Sequence, residues 1–172
     1  QALFGSPHRL PTETRQAVAL VIRWLDEHPD AKDVPFRTRE VLECSDLEED
    51  QRDTVAQAAL DWLEHHSCQP SAGPPVVGLL RHENLPRPQA RAAVEAALQW
   101  LRRHADLDAA RYVLSALLYR PPRDFESEEP RWVIAWVKAW LERWPDHSAS
   151  LSLSEDLLKC RWKTPQERHT AV

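Results

Sequence analysis

The sequence contains no methionine and only three glycines, Gly5, Gly73 and Gly78. So few glycines exclude a phosphate-cradling P-loop and a dinucleotide-binding fingerprint, both of which need backbone to approach phosphate closely. A Gly-x-Ser-x-Gly nucleophile elbow is missing as well. Cys44, Cys68 and Cys160 are odd in number and far apart, which suits reduced thiols better than a disulfide framework. No apolar run approaches the roughly eighteen residues of a membrane-spanning helix. No signal-peptide pattern opens the sequence, so the expected location is cytoplasmic, with no membrane partner. Lysine is scarce, 4 against 18 arginines, a bias that hints at a GC-rich bacterial genome. Strand signals are also lacking, because alternation of apolar and polar residues never lasts.

What the chain does have is a repeat. Trp-Leu stands at Trp24-Leu25, Trp62-Leu63, Trp100-Leu101 and Trp140-Leu141, with spacings of 38, 38 and 40 residues. Four residues after each Trp comes His28, His66, His104 and, in the last case, Trp144. A second apolar pair keeps the same phase: Val41-Leu42, Leu79-Leu80, Leu117-Leu118 and Leu157-Leu158. Periods of this length mark architectures whose units cannot bury their apolar faces alone and must stack on neighbours. Composition agrees with a folded chain: 172 residues, 42% apolar and 28% charged.

Each unit reads as two helices. Ala90, Ala93, Val94, Ala97, Leu98 and Leu101 follow the i, i+3, i+4, i+7 rule, and Ala96 and Trp100 widen the stripe until it faces two neighbours. First helices are expected near 12–28, 49–66, 87–104 and 129–144, and second helices near 36–44, 74–83, 109–120 and 150–162. Helix starts are signalled by Thr12 or Pro11, by a capping box of Asp46 and Glu49, and by Ser127 ahead of Pro130. The units run approximately 11–47, 48–85, 86–125 and 126–163. Apolar Leu3-Phe4 and Ala171-Val172 fall in phase with the repeat, so partial units are expected at both ends. The whole of 1–172 is then one repeat domain, a fragment of a longer array.

Trp24, Trp62, Trp100 and Trp140 are expected to be structural, each filling the gap between adjacent helix pairs. The histidine one turn later is expected to stack on the indole and to sit near the negative end of its helix. Glu64, His65, His66 and Cys68 form the best local metal candidate, but no second cluster pairs with them, so neither a metal nor any other cofactor is expected. Arg81-His-Glu-Asn-Leu-Pro86 starts like a zinc-protease helix, yet Pro86 stands where the second histidine belongs. No catalytic constellation emerges, and the chain is read as a non-enzyme.

Two features point to binding. Trp132, Trp136, Trp140 and Trp144 follow at i, i+4 steps, and only Trp140 belongs to the repeat. The extra indoles Trp132, Trp136 and Trp144 either cover an irregular junction or serve as anchors for a partner; exposure of Trp132 or Trp136 would favour binding. Charge is also uneven. The net charge is −5, yet Asp26 to Glu64 sums to −9 and Val76 to Phe125 to +3. The Arg-rich middle includes Arg102, Arg103 and Arg111, candidates for partner binding, and Arg81, Arg87, Arg91 and Arg120 complete a stripe that an RNA or DNA alternative would use.

The two-helix units with their W-L-x-x-H signature resemble tetratricopeptide-like repeats, and their length resembles HEAT-type units. That resemblance implies an all-α fold, a right-handed superhelix of stacked antiparallel helix pairs forming an α-solenoid. It also implies a noncatalytic protein-interaction or scaffold module, the recognition or regulatory repeat region of a larger bacterial multidomain protein. The expected partner is another protein or a neighbouring domain of the same polypeptide.

Overall fold

A computed structural model describes residues 11–28, 31–44, 48–82, 84–160 and 162, without the side chains of 11–14 and 26. Asp46, Leu3-Phe4 and Ala171-Val172 lie outside the described residues.

Among the described residues eight α-helices follow one another: α1 Pro11–Glu27, α2 Val34–Leu42, α3 Glu49–His66, α4 Gly73–Arg81, α5 Arg87–His104, α6 Ala110–Tyr119, α7 Glu129–Arg143 and α8 Ser150–Lys159. Short 3-10 turns occupy Pro70–Ala72 and Pro122–Asp124. No strand occurs among the described residues. Prolines set the starts: α2, α4, α5 and α7 each carry one in the first helical turn, where its missing N–H costs no hydrogen bond. Glu48 and Gln51 form a capping box at the start of α3, where Glu48 is extended at φ −70° and ψ 153°. α7 starts one residue later than Ser127 would cap, and Glu129 itself accepts the Glu126 N–H at 2.8 Å.

The helices pack in a regular order. Within pairs, α1 meets α2, α3 meets α4, α5 meets α6 and α7 meets α8. Between pairs, α2 lies on α4, α4 on α6 and α6 on α8, while α1 lies on α3 and α3 on α5. One continuous apolar core threads through them. Ala56, Ala59, Ala93 and Ala97 are buried in α3 and α5, and their small side chains permit the backbones to approach. Gly78 plays the same part for α2 and α4: a Cβ there would stand 3.4 Å from both the Arg39 Cα and the Leu42 Cδ1.

The repeat residues explain the stacking. Trp62, Trp100 and Trp140 are 7%, 0% and 1% exposed, while Trp24 is half-buried at the amino-terminal side. The Trp100 indole N–H donates to the Gln69 carbonyl at 3.0 Å, reaching the loop of the preceding pair. Trp140 repeats the contact one pair later, donating to the Leu107 carbonyl at 3.2 Å. Trp62 is held by packing, its buried N–H without a hydrogen-bond partner among the described residues. The histidines lie against the indoles as expected, with ring centroids 5.4, 4.5 and 5.1 Å apart for His28, His66 and His104. His104 adds a second tie: its Nε2 lies 2.9 Å from the Cys68 carbonyl, which can only accept, so the proton belongs on Nε2. In the fourth pair Trp144 takes the histidine position, and His147 supplies the polar tie, its Nε2 3.0 Å from Asp108 Oδ1.

Candidate protein-interaction surface

The last junction is built differently from the others. Among the described residues α5 and α7 meet through long side chains rather than close backbone approach. Arg91 and Glu129, 38 residues apart, form a bidentate pair in which Nη2 donates to Oε1 at 2.9 Å and Nη1 donates to Oε2. Arg91 Nε also donates to Glu95 at 3.0 Å. The Arg91 guanidinium therefore holds the Glu129 carboxyl below its ordinary value, and Glu129 in turn raises that of Arg91.

Arg120, at the end of α6, reaches back to the end of α4. With Asp124 it forms an ion pair whose side chains are only 6% and 2% exposed. Arg120 Nη1 donates to the His82 carbonyl at 2.9 Å, and the Arg120 carbonyl accepts from Trp162 Nε1 at 2.8 Å. Burial first, then the charges of Arg52 and Arg120, press the His82 imidazole below its ordinary value. Further along α6, Asp156 accepts hydrogen bonds from Ser115 Oγ at 2.7 Å and the Tyr119 hydroxyl at 2.6 Å.

Against this background one pair stands out. Trp132 is 43% exposed on α7, and the Arg102 guanidinium lies 5.7 Å from the centre of its ring. Among the described residues Arg102 has no salt bridge. A cation over an exposed indole contributes only about 0.5–1 kcal/mol, so the arrangement adds little to stability. It leaves a flat apolar face beside a guanidinium that acts on the Glu129 carboxylate only through space.

The four indoles of α7 do not form a continuous exposed ridge. Trp140 is buried, Trp136 and Trp144 pack partly buried against the core, and Trp144 has left the helix at φ −125° and ψ 54°. The arginine candidates divide too. Arg103 is exposed in the last turn of α5, but Arg111 is folded back on Asp108 and onto the Tyr112 ring, 4.3 Å from its centre. The structure thus brings Arg102 and Trp132 together and directs Arg111, Trp136 and Trp144 into other contacts. Of the remaining basic stripe, Arg81 pairs with Glu43 at 3.5 Å, Arg91 with Glu129, and Arg120 with Asp124. Much of its positive charge is therefore already neutralised.

Sequence reading missed the Arg91–Glu129 and Arg120–Asp124 pairs and the His147 tie. The first was visible as opposite charges one period apart; the others depend on how a proline-rich connection folds back. Among the described residues no cluster of three His, Cys, Asp or Glu side chains could hold a metal ion, and the residues around His66 are spread along a helix end. No described helix is long and apolar enough to cross a membrane. No protein-family model, curated protein or solved structure matches the chain.

Proposed function

We propose that this chain is a noncatalytic protein-interaction module, a right-handed α-solenoid of tetratricopeptide-like or HEAT-like pairs serving as the recognition or regulatory region of a larger bacterial, cytoplasmic protein. The observation that carries the reading is the Arg102–Trp132 platform, an exposed indole beneath a guanidinium that makes no salt bridge among the described residues. The alternation of α2 on α4 on α6 on α8 supports the solenoid, since each pair uses its neighbours as its dry surface. Such a platform suits a segment that offers a carboxylate to Arg102 and an apolar side chain to Trp132.

The test is fluorescence anisotropy with labelled peptides combining Asp or Glu with Leu or Phe. Binding should weaken tenfold or more in Trp132→Ala and in Arg102→Glu, and stay unchanged in Tyr112→Ala. Tenfold corresponds to about 1.4 kcal/mol. Absence of binding, or equal binding by all variants, would overturn the reading. The nucleic-acid alternative rests on exposed Arg87, Arg102 and Arg103. It would instead give oligonucleotide binding that falls steeply with salt.

A further inference from the structure

Between α3 and α5, in the interior of the array, lies a groove of about 450 Å³ floored by Leu60, Leu63, Ala92 and Ala96. The repeat explains the space. Ala92 and Ala96 stand 40 residues before Trp132 and Trp136, so α5 carries methyl groups where α7 carries indoles. Glu64 stands 38 residues before Arg102, so a carboxylate occupies the place that a guanidinium takes one pair later. The α3–α5 groove is thus the counterpart of the Arg102–Trp132 platform, with the aromatic face missing and the sign of the charge reversed.

Its rim is short of donors. Asp61 and Glu64, both exposed on α3, form no salt bridge among the described residues, whereas Glu95 on the opposite side is held by Arg91 at 3.0 Å. Asp61 also fixes the amides beside it. Its carboxylate can only accept, so Gln57 presents Nε2 to Oδ1 at 2.8 Å. Gln57 Oε1 then accepts from Gln89 Nε2 at 3.4 Å. That orientation leaves Gln89 Oε1 buried and without a donor among the described residues. Buried carbonyl oxygens are nearly always hydrogen-bonded, so an unmet one marks where a donor belongs. The surrounding charge has the matching sign, since Asp26 to Glu64 sums to −9.

We infer that the α3–α5 groove binds an arginine side chain of a basic partner segment. The aliphatic stem lies over Ala92 and Ala96, the guanidinium meets Asp61 and Glu64, and one of its N–H groups donates to Gln89 Oε1. Arginine suits the groove better than lysine, because its forked donors serve a carboxylate and an amide at once while its stem covers apolar surface. The inference does not rest on the Arg102–Trp132 platform, which attracts the opposite charge.

Fluorescence anisotropy of a labelled Ala-Arg-Ala-Arg-Ala peptide with the full chain tests the proposal. The peptide should bind, and replacing its arginines with citrulline, which keeps the shape and removes the charge, should weaken binding about tenfold, the size of a lost charge-assisted bond. Glu64→Gln should weaken it about fivefold. Ala92→Trp, which fills the groove as Trp132 fills the next one, should abolish it, and far-UV circular dichroism verifies the fold of each variant. Glu49→Gln, an exposed carboxylate at the start of α3 outside the groove, should leave binding unchanged, as should Trp132→Ala. Insensitivity to Trp132→Ala separates this site from the platform. No binding, or equal losses in Glu49→Gln and Glu64→Gln, the sign of diffuse attraction to an acidic surface, would overturn the inference.

Discussion

Where α3 and α4 meet α5 and α6, Trp100 is fully buried, its ring so close to Gly73 that a Cβ there would stand 3.2 Å from Cζ2. Where α5 and α6 meet α7 and α8, Trp140 is as deeply buried, and Arg91 with Glu129 and Tyr119 with Asp156 add charged ties. Both junctions bury an indole; the second adds a bidentate ion pair between its first helices and leaves Trp132 43% exposed. A junction spaced by long side chains can expose an indole without opening the core. The difference teaches how helix pairs of similar sequence can leave one surface open and another closed.

The largest effect should come from the first of these junctions. Trp100→Ala removes a wholly buried indole and its tie to Gln69, and should destabilise the chain by about 3–5 kcal/mol in urea unfolding. A loss below about 1 kcal/mol would erase the contrast. Next comes Asp124→Ala, which leaves Arg120 charged in a buried site and should cost about 3 kcal/mol. Replacing both partners with apolar residues should restore most of it, since a buried pair contributes little beyond satisfying itself.

Acid should then act on the charged junction selectively. The Glu129 carboxyl lies below its ordinary value because of Arg91, so its contribution is complete above the usual carboxylate range, about pH 4, and is lost as pH falls through the folded value. Glu129→Gln should flatten that part of a stability–pH curve. His82 adds an earlier decline: its folded value is also depressed, so the unfolded state takes up the proton first as pH falls below about 6.5. The smallest effect belongs to Trp132→Ala, expected at about 0.5–1 kcal/mol by urea unfolding, the size of the exposed cation–π contact it removes.

Much of the helical order was legible in the sequence. α3 and α5 occupy 49–66 and 87–104, as the apolar stripe and the flanking prolines indicate, and the other helix ends move by no more than three residues. The Glu48–Gln51 capping box escaped notice because acid and amide residues crowd positions 46–51, and only the helix start selects that pair. The 3-10 turns at 70–72 and 122–124 escaped notice because proline-rich connections carry no periodicity. Helical spacing alone suggested a ridge of four indoles. It could not reveal that α7 stops at Arg143, which turns Trp144 out of phase, or that α5 lies far enough away to leave Trp132 exposed. Pairing of Arg102 with Trp132 is likewise a property of the spacing between helices, which no local pattern encodes.

Indole N–H exchange in a ¹⁵N-labelled sample bears most directly on the idea that tryptophan clamps successive helix pairs together. Trp100 and Trp140, donating to the Gln69 and Leu107 carbonyls, should exchange only with global unfolding, while Trp132 should exchange at nearly the rate of a free indole. Equal, rapid exchange at Trp100, Trp140 and Trp132 would contradict the clamp.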